Sequence, residues 1–181
     1  MPPPVAMLFA VTIMSMFAVT SVAAFDAQGA ANWARKCWNN QCPSCTCVPQ
    51  ASGYCPGSGA SPTCGCTPFV SHSLREGGGW KHAPVVRCSS LNGILSSSSY
   101  WSMVGTEGGR IIPGDVIVMT PPGDKPMGHC CIGTAAGKMT CHNKNHLDVT
   151  VDGYGKVDAI WRHASALVNE TLRLGNYTLR K

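Results

Sequence analysis

The chain has 181 residues, a formal charge of +5 and only 13% charged residues against 44% hydrophobic ones. That describes one domain, two at most, with enough apolar material for a modest core. The basic residues (Arg35, Lys36, Arg75, Lys81, Arg87, Arg110, Lys144, Arg162) are dispersed and never form a run, which excludes a dedicated nucleic-acid arm.

Residues 1–24 carry no charged side chain, and an almost unbroken apolar run over 5–22 ends in Val22-Ala23-Ala24. Small residues after an apolar stretch predict a signal peptide cut near Ala24 and a secreted chain over 25–181. The start, Met-Pro-Pro-Pro, lacks the usual basic residue, and the run is just long enough for a membrane anchor. No basic cluster follows Ala24, so the expectation is secretion, with no stable membrane insertion after cleavage.

Next, 27–38 has helical composition, with Ala30, Ala31, Trp33, Ala34 and Cys37 spaced to share a face. Residues 39–63 are rich in Cys, Pro, Gly and Ser without periodicity, which predicts a long irregular insertion pinned by disulfides. From Cys66 the pattern turns helical again. Pro68 suits a first helical turn, Phe69, Val70 and Leu74 form an apolar stripe, and glycines after Glu76 close the helix. Cys66 therefore sits at or just before a helix N-terminus.

Residues 80–109 are mixed and include the serine run 96–99. Beyond them, strands are expected at 116–119, 129–134, 138–143 and 157–162. The intervening turn signals include Pro113-Gly114-Asp115 and Ala136-Gly137. Helices first and an antiparallel meander second make the predicted class α+β.

Eleven cysteines are present: Cys37, Cys42, Cys45, Cys47, Cys55, Cys64, Cys66, Cys88, Cys130, Cys131 and Cys141. Behind a signal peptide this reads as a disulfide-rich framework, and the odd number leaves one thiol over. Cys42-x-x-Cys45-x-Cys47 resembles part of a zinc site, but a second CxxC with histidines at ligand spacing is missing, so no metal and no cofactor is expected. Asn169-Glu170-Thr171 and Asn176-Tyr177-Thr178 are glycosylation sequons, in keeping with secretion.

A thiol attacks only as thiolate, and a helix N-terminus and a nearby imidazole both favour that form. Cys66 has the first from its own local sequence. His129, opening a strand, is the candidate base, and His142 or Asn143, returning after the Ala136-Gly137 turn, would orient it. On position alone, Cys66 is as readily a disulfide partner of Cys64 or Cys47. His72, His82, His146 and His163 read as surface or supporting residues.

Three stretches resemble, in order, an amidase domain family related to the NlpC-type and CHAP cysteine peptidases. Cys66-Thr-Pro-Phe-Val-Ser-His-Ser-Leu is similar to its nucleophile helix. Gly114-Asp115-Val116-Ile117 is similar to the strand before the histidine. Gly128-His129-Cys130-Cys131-Ile132-Gly133, followed by 138–143, is similar to the histidine strand and its neighbour. The helix opening at Ala30 also matches, so the likeness spans about 27–163, with the Cys-rich loop as an insertion. Gly65 and Pro68 depart from the family pattern, as do Cys130 and Cys131, which are expected to be buried or bridged.

The resemblance implies a papain-like fold and a cysteine amidase or peptidase. Its catalytic residues would be Cys66, His129 and His142 or Asn143, and its substrate bacterial peptidoglycan peptides. The alternatives are a disulfide-stapled binding module without catalysis and an acyltransferase of the same fold.

Overall fold

The structure is a computed structural model and describes residues 25–38, 65–83, 85, 87–142 and 146–167. The expected signal peptide, the whole Cys-rich insertion, both sequons and Asn143 lie outside the described residues.

Helix α1 covers Ala27–Cys37. Asp26 caps it by accepting a hydrogen bond from the Gly29 N–H at 2.8 Å, satisfying a donor that the first turn cannot. Its buried face is Ala30, Ala31, Ala34 and Cys37, small side chains that permit close packing. The closest approach is to the segment carrying Cys66. A Cβ on Gly77 would lie 2.5 Å from the Gly29 carbonyl oxygen and 2.6 Å from Trp33 Cβ, so the two backbones touch.

Helix α2 covers Cys66–His72 and continues as a π-helical turn over Ser73–Gly77. Gly65 precedes it at φ 93°, ψ 165°, a conformation that a side chain would not tolerate. Pro68 falls among the first N–H groups, which have no intrahelical partner to lose. The wider turn is marked by the Gly78 N–H donating to the Ser73 carbonyl at 3.0 Å. Phe69, Val70 and Leu74 form the buried stripe that the sequence predicts. Helix α3, Cys88–Ser97, lies in the mixed stretch 80–109 and buries only Cys88, Leu91 and Leu95.

The strands are β1 (Trp101–Gly105), β2 (Val116–Thr120), β3 (His129–Ala135), β4 (Lys138–Cys141), β5 (His146–Val149) and β6 (Lys156–His163). All neighbouring pairs are antiparallel, in the order β1-β6-β2-β3-β4-β5. The class is thus α+β, as expected, with β1 and β5 added to the four predicted strands.

Period-two alternation divides the sheet into two faces. Val116, Val118, Cys130, Ile132, Ala159 and Trp161 join the helices in one core. Ile117, Met119, Cys131, Met139, Cys141, Val157 and Ile160 form a second core on the far side. A register shift opposite Val118 and Met119 lets Val157 and Ala159 face opposite ways despite their even spacing.

Gly114-Asp115 has a structural role. Asp115, 1% exposed, accepts two hydrogen bonds from the Arg162 guanidinium at 2.9 Å and one from the Ile112 N–H. The pair ties the turn before β2 to β6, and Gly114, at φ 86°, lies against Ala27 where no side chain would fit.

Candidate functional site

Cys66 is the first residue of α2, and the first bond of that helix runs from the Phe69 N–H to the Gly65 carbonyl. The N–H groups of Cys66 and Thr67 therefore precede the helical ladder, at its positive end. Cys66 is 7% exposed and unbridged, which sets aside its reading as a disulfide partner.

Two further thiols surround it. Cys66 Sγ lies 3.4 Å from Cys88 Sγ, and Cys88 Sγ lies 2.7 Å from Cys130 Sγ. The Thr67 hydroxyl is 2.9 Å from Cys88 Sγ and 3.6 Å from Cys130 Sγ. Cys88 begins α3, and Cys130 points from β3 to the helical face, so α2, α3 and β3 each supply one sulfur.

The charges in this trio are unequal. The thiols of Cys130 and Cys88, as donors, hold the Cys66 thiol far below its ordinary range; burial opposes them, and the His129 imidazole adds to the lowering. For Cys88, the hydrogen bond with Cys130 pulls down, but Cys66 and burial outweigh it and push the thiol up to about 12. Burial first, then Cys66 and Cys88, raise Cys130 well above the usual thiol value. Of the three, Cys66 is the sulfur on which negative charge is favoured.

His129 opens β3, opposite Met119, and is 8% exposed. Its imidazole is among the groups that lower the Cys66 thiol. A ring nitrogen also lies within 4.8 Å of the sulfurs of Cys131 and Cys141. Those two form a disulfide across the directly paired positions of β3 and β4, with their Cα atoms 4.6 Å apart.

His142, one residue beyond β4, turns to the helical side and stacks on Phe69 of α2, ring centroids 5.6 Å apart. It thus joins α2 through Phe69. The other proposed orienting residue, Asn143, lies outside the described residues.

One expectation needs correction. Five bridges with a single thiol left over do not describe this arrangement: Cys66, Cys88 and Cys130 are all unpaired, which leaves eight of the eleven cysteines for at most four bridges. Cys37 is bridged, and Cys131–Cys141 is the other bridge among the described residues. Of the histidines read as surface or supporting residues, His72 and His163 are buried, which leaves them the supporting role. His72 is buried against Trp33 beside Glu76, and His163 is buried with the Ser165 hydroxyl at 2.9 Å. Burial holds both imidazoles below their ordinary range, slightly offset at His72 by the Glu76 carboxylate.

Cys130 and Cys131 meet their joint expectation, one buried and the other bridged. The sequence reading missed Cys88. Its only advance signal was the spacing Cys88, Leu91, Leu95, which marks one helical face.

Two groups bring possible metal-binding atoms within 4.8 Å of one another: Cys66, Cys88 and Cys130, and His129 with Cys131 and Cys141. The second cannot ligate as a set, because a disulfide sulfur has no thiolate to offer. A surface cleft of about 630 Å³, lined in part by Phe25, Arg35, Thr134 and Ser165, includes none of the candidate residues. No described helix is long and apolar enough to cross a membrane.

Comparison with known proteins gives no match: no family model, curated sequence or solved structure is similar to the chain.

Proposed function

We propose that the protein is a secreted cysteine amidase or peptidase of papain-like fold, acting by acyl transfer. The observation that carries the reading is Cys66: an unbridged thiol at a helix start, lowered below its ordinary range by its neighbours, the His129 imidazole among them. A helix bearing the cysteine, packed on an antiparallel sheet bearing the histidine, is the arrangement that such chemistry needs.

In this scheme the Cys66 thiolate attacks an amide carbon, and the N–H groups of Cys66 and Thr67 receive the oxyanion. His129 gives its proton to the departing amine, leaving a thioester on Cys66. Water, its proton taken by His129, releases the acid and restores the thiolate. His142, and Asn143 beside it, are assigned the support of the base. The proposed substrate is the peptide portion of bacterial peptidoglycan, an anionic polymer that suits a chain of charge +5.

An unbridged Cys66 favours this reading over a disulfide-stapled binding module. Product analysis separates it from acyltransfer: hydrolysis yields a free acid, transfer a new amide or ester. Purified Cys66→Ala protein should release no new amines from bacterial wall fragments that the wild type digests. Equal digestion by the two would refute the proposal.

A further inference from the structure

The thiols of Cys66, Cys88 and Cys130 are three in a row, from 7% to 4% to 0% exposure, with sulfur separations of 3.4 and 2.7 Å. The acyl transfer proposed above needs only the first of them. We propose that the three form a relay, in which an oxidation arriving at Cys66 is passed inward and stored as a Cys88–Cys130 disulfide, returning Cys66 as a free thiol.

The oxidant is a small disulfide of the glutathione type, RS–SR. The Cys66 thiolate attacks one of its sulfurs, forming a Cys66–SR bond and expelling RS⁻. Cys88 attacks the Cys66 sulfur, forming Cys66–Cys88 and expelling the second RS⁻. Cys130 then attacks the Cys88 sulfur, forming Cys88–Cys130 and releasing Cys66 as thiolate. The protons of Cys88 and Cys130 end on the two expelled thiolates. Two protein thiols are oxidised, one RS–SR is reduced to two RSH, and Cys66 is unchanged.

Geometry sets the order of these steps, since Cys88 is the sulfur in contact with both of the others. Electrostatics sets the end point. Each exchange leaves one sulfur to carry a negative charge, and burial disfavours that charge on Cys130 and Cys88, whereas Cys66 accepts it. With Cys88 and Cys130 joined, their S–H donors are gone, and His129 remains to hold the Cys66 thiolate. The joined state also returns the arrangement to one unpaired thiol among the three.

The relay does not depend on the hydrolase reading, and its readout is covalent mass rather than activity. The full chain, with its accessible disulfides opened under mild reduction, is treated with oxidised glutathione, alkylated without further reduction, digested and weighed. The expected product is a Cys88 peptide linked to a Cys130 peptide, with Cys66 alkylated. In Cys130→Ala the bridge should stop at Cys66–Cys88, and Cys66 should lose its alkylation. Wild-type protein that ends as Cys66–Cys88, keeps glutathione on Cys66, or leaves Cys88 and Cys130 both alkylated overturns the relay. So does a native mass showing one zinc ion held by the trio. The wild-type arm stands even if the variant fails to fold.

Discussion

Cys130 and Cys131 are neighbours in the chain and opposites in the fold. Cys130 points to the helices and meets two other thiols; Cys131 points to the far face and is closed into a bridge with Cys141. The same contrast holds for the two faces of the sheet. The helical face gathers the three thiols, the Thr67 hydroxyl and the His142 ring, while His129, paired with Met119, opens β3 beside the bridge. The far face is aliphatic and locked by one disulfide, with the Asp115–Arg162 pair tying its turn and strand together. A strand with period two can thus keep reactive groups and structural ones on adjacent residues without mixing them.

If this division is right, damage to each side should be read by a different instrument. Cys66→Ala should lower amide hydrolysis at least about a thousandfold while leaving the thermal midpoint nearly unchanged. A drop in stability as large as the drop in activity would erase the contrast. Arg162→Ala should do the reverse. It strands the buried Asp115 carboxylate and should cost about 3–5 kcal/mol in denaturant unfolding, while the folded fraction keeps its turnover.

Replacing Cys131 and Cys141 together by alanine should cost about 3 kcal/mol, as expected for a short closed loop. Because His129 lies beside that bridge, this variant also sharpens the boundary between the faces. A fall in kcat at unchanged KM would show that the bridge positions the imidazole. The smallest effect belongs to Asp148, which joins β5 to Arg35 of α1 and to Thr134. Burial pushes its carboxyl up, but the Thr134 hydroxyl and the Arg35 guanidinium outweigh that and hold it below the usual carboxylate range. A lowered folded-state value means stability present above the unfolded carboxylate pKa of about 4 and lost as pH falls through the folded one. Asp148→Asn should therefore cost about 1 kcal/mol at neutral pH, discounted for its partial exposure. The gap from wild type, followed by thermal melts, should close in acid.

The elements that the sequence revealed are those whose local pattern is strong. Val116 to Met119 is buried on both faces and reads as a continuous apolar run, and α2 carries Phe69, Val70 and Leu74 between a proline and glycines. Helix α3 escaped notice because its three core residues are set among serines and a glycine, poor helix formers whose place is decided by packing. Strand β1 escaped for a similar reason, since only Trp101 of its five residues is buried. At the site, Cys66 and His129 were legible from local sequence. The thiol cluster was not: its members lie 22 and 42 residues apart in succession, and only the packing of α2, α3 and β3 brings them together.

The backbone contact of Gly29 with Gly77 bears on where Cys66 can be. Side chains can rotate to absorb an error in helix placement; two peptide planes in contact cannot. The cysteine-bearing segment is therefore seated like a lever on a hard fulcrum at its C-terminal end, with the thiol at the opposite tip. An added methyl at the fulcrum would be felt as a displacement at the tip, among sulfurs whose separations leave little slack. Tolerance at this site is thus governed by residues that never touch it.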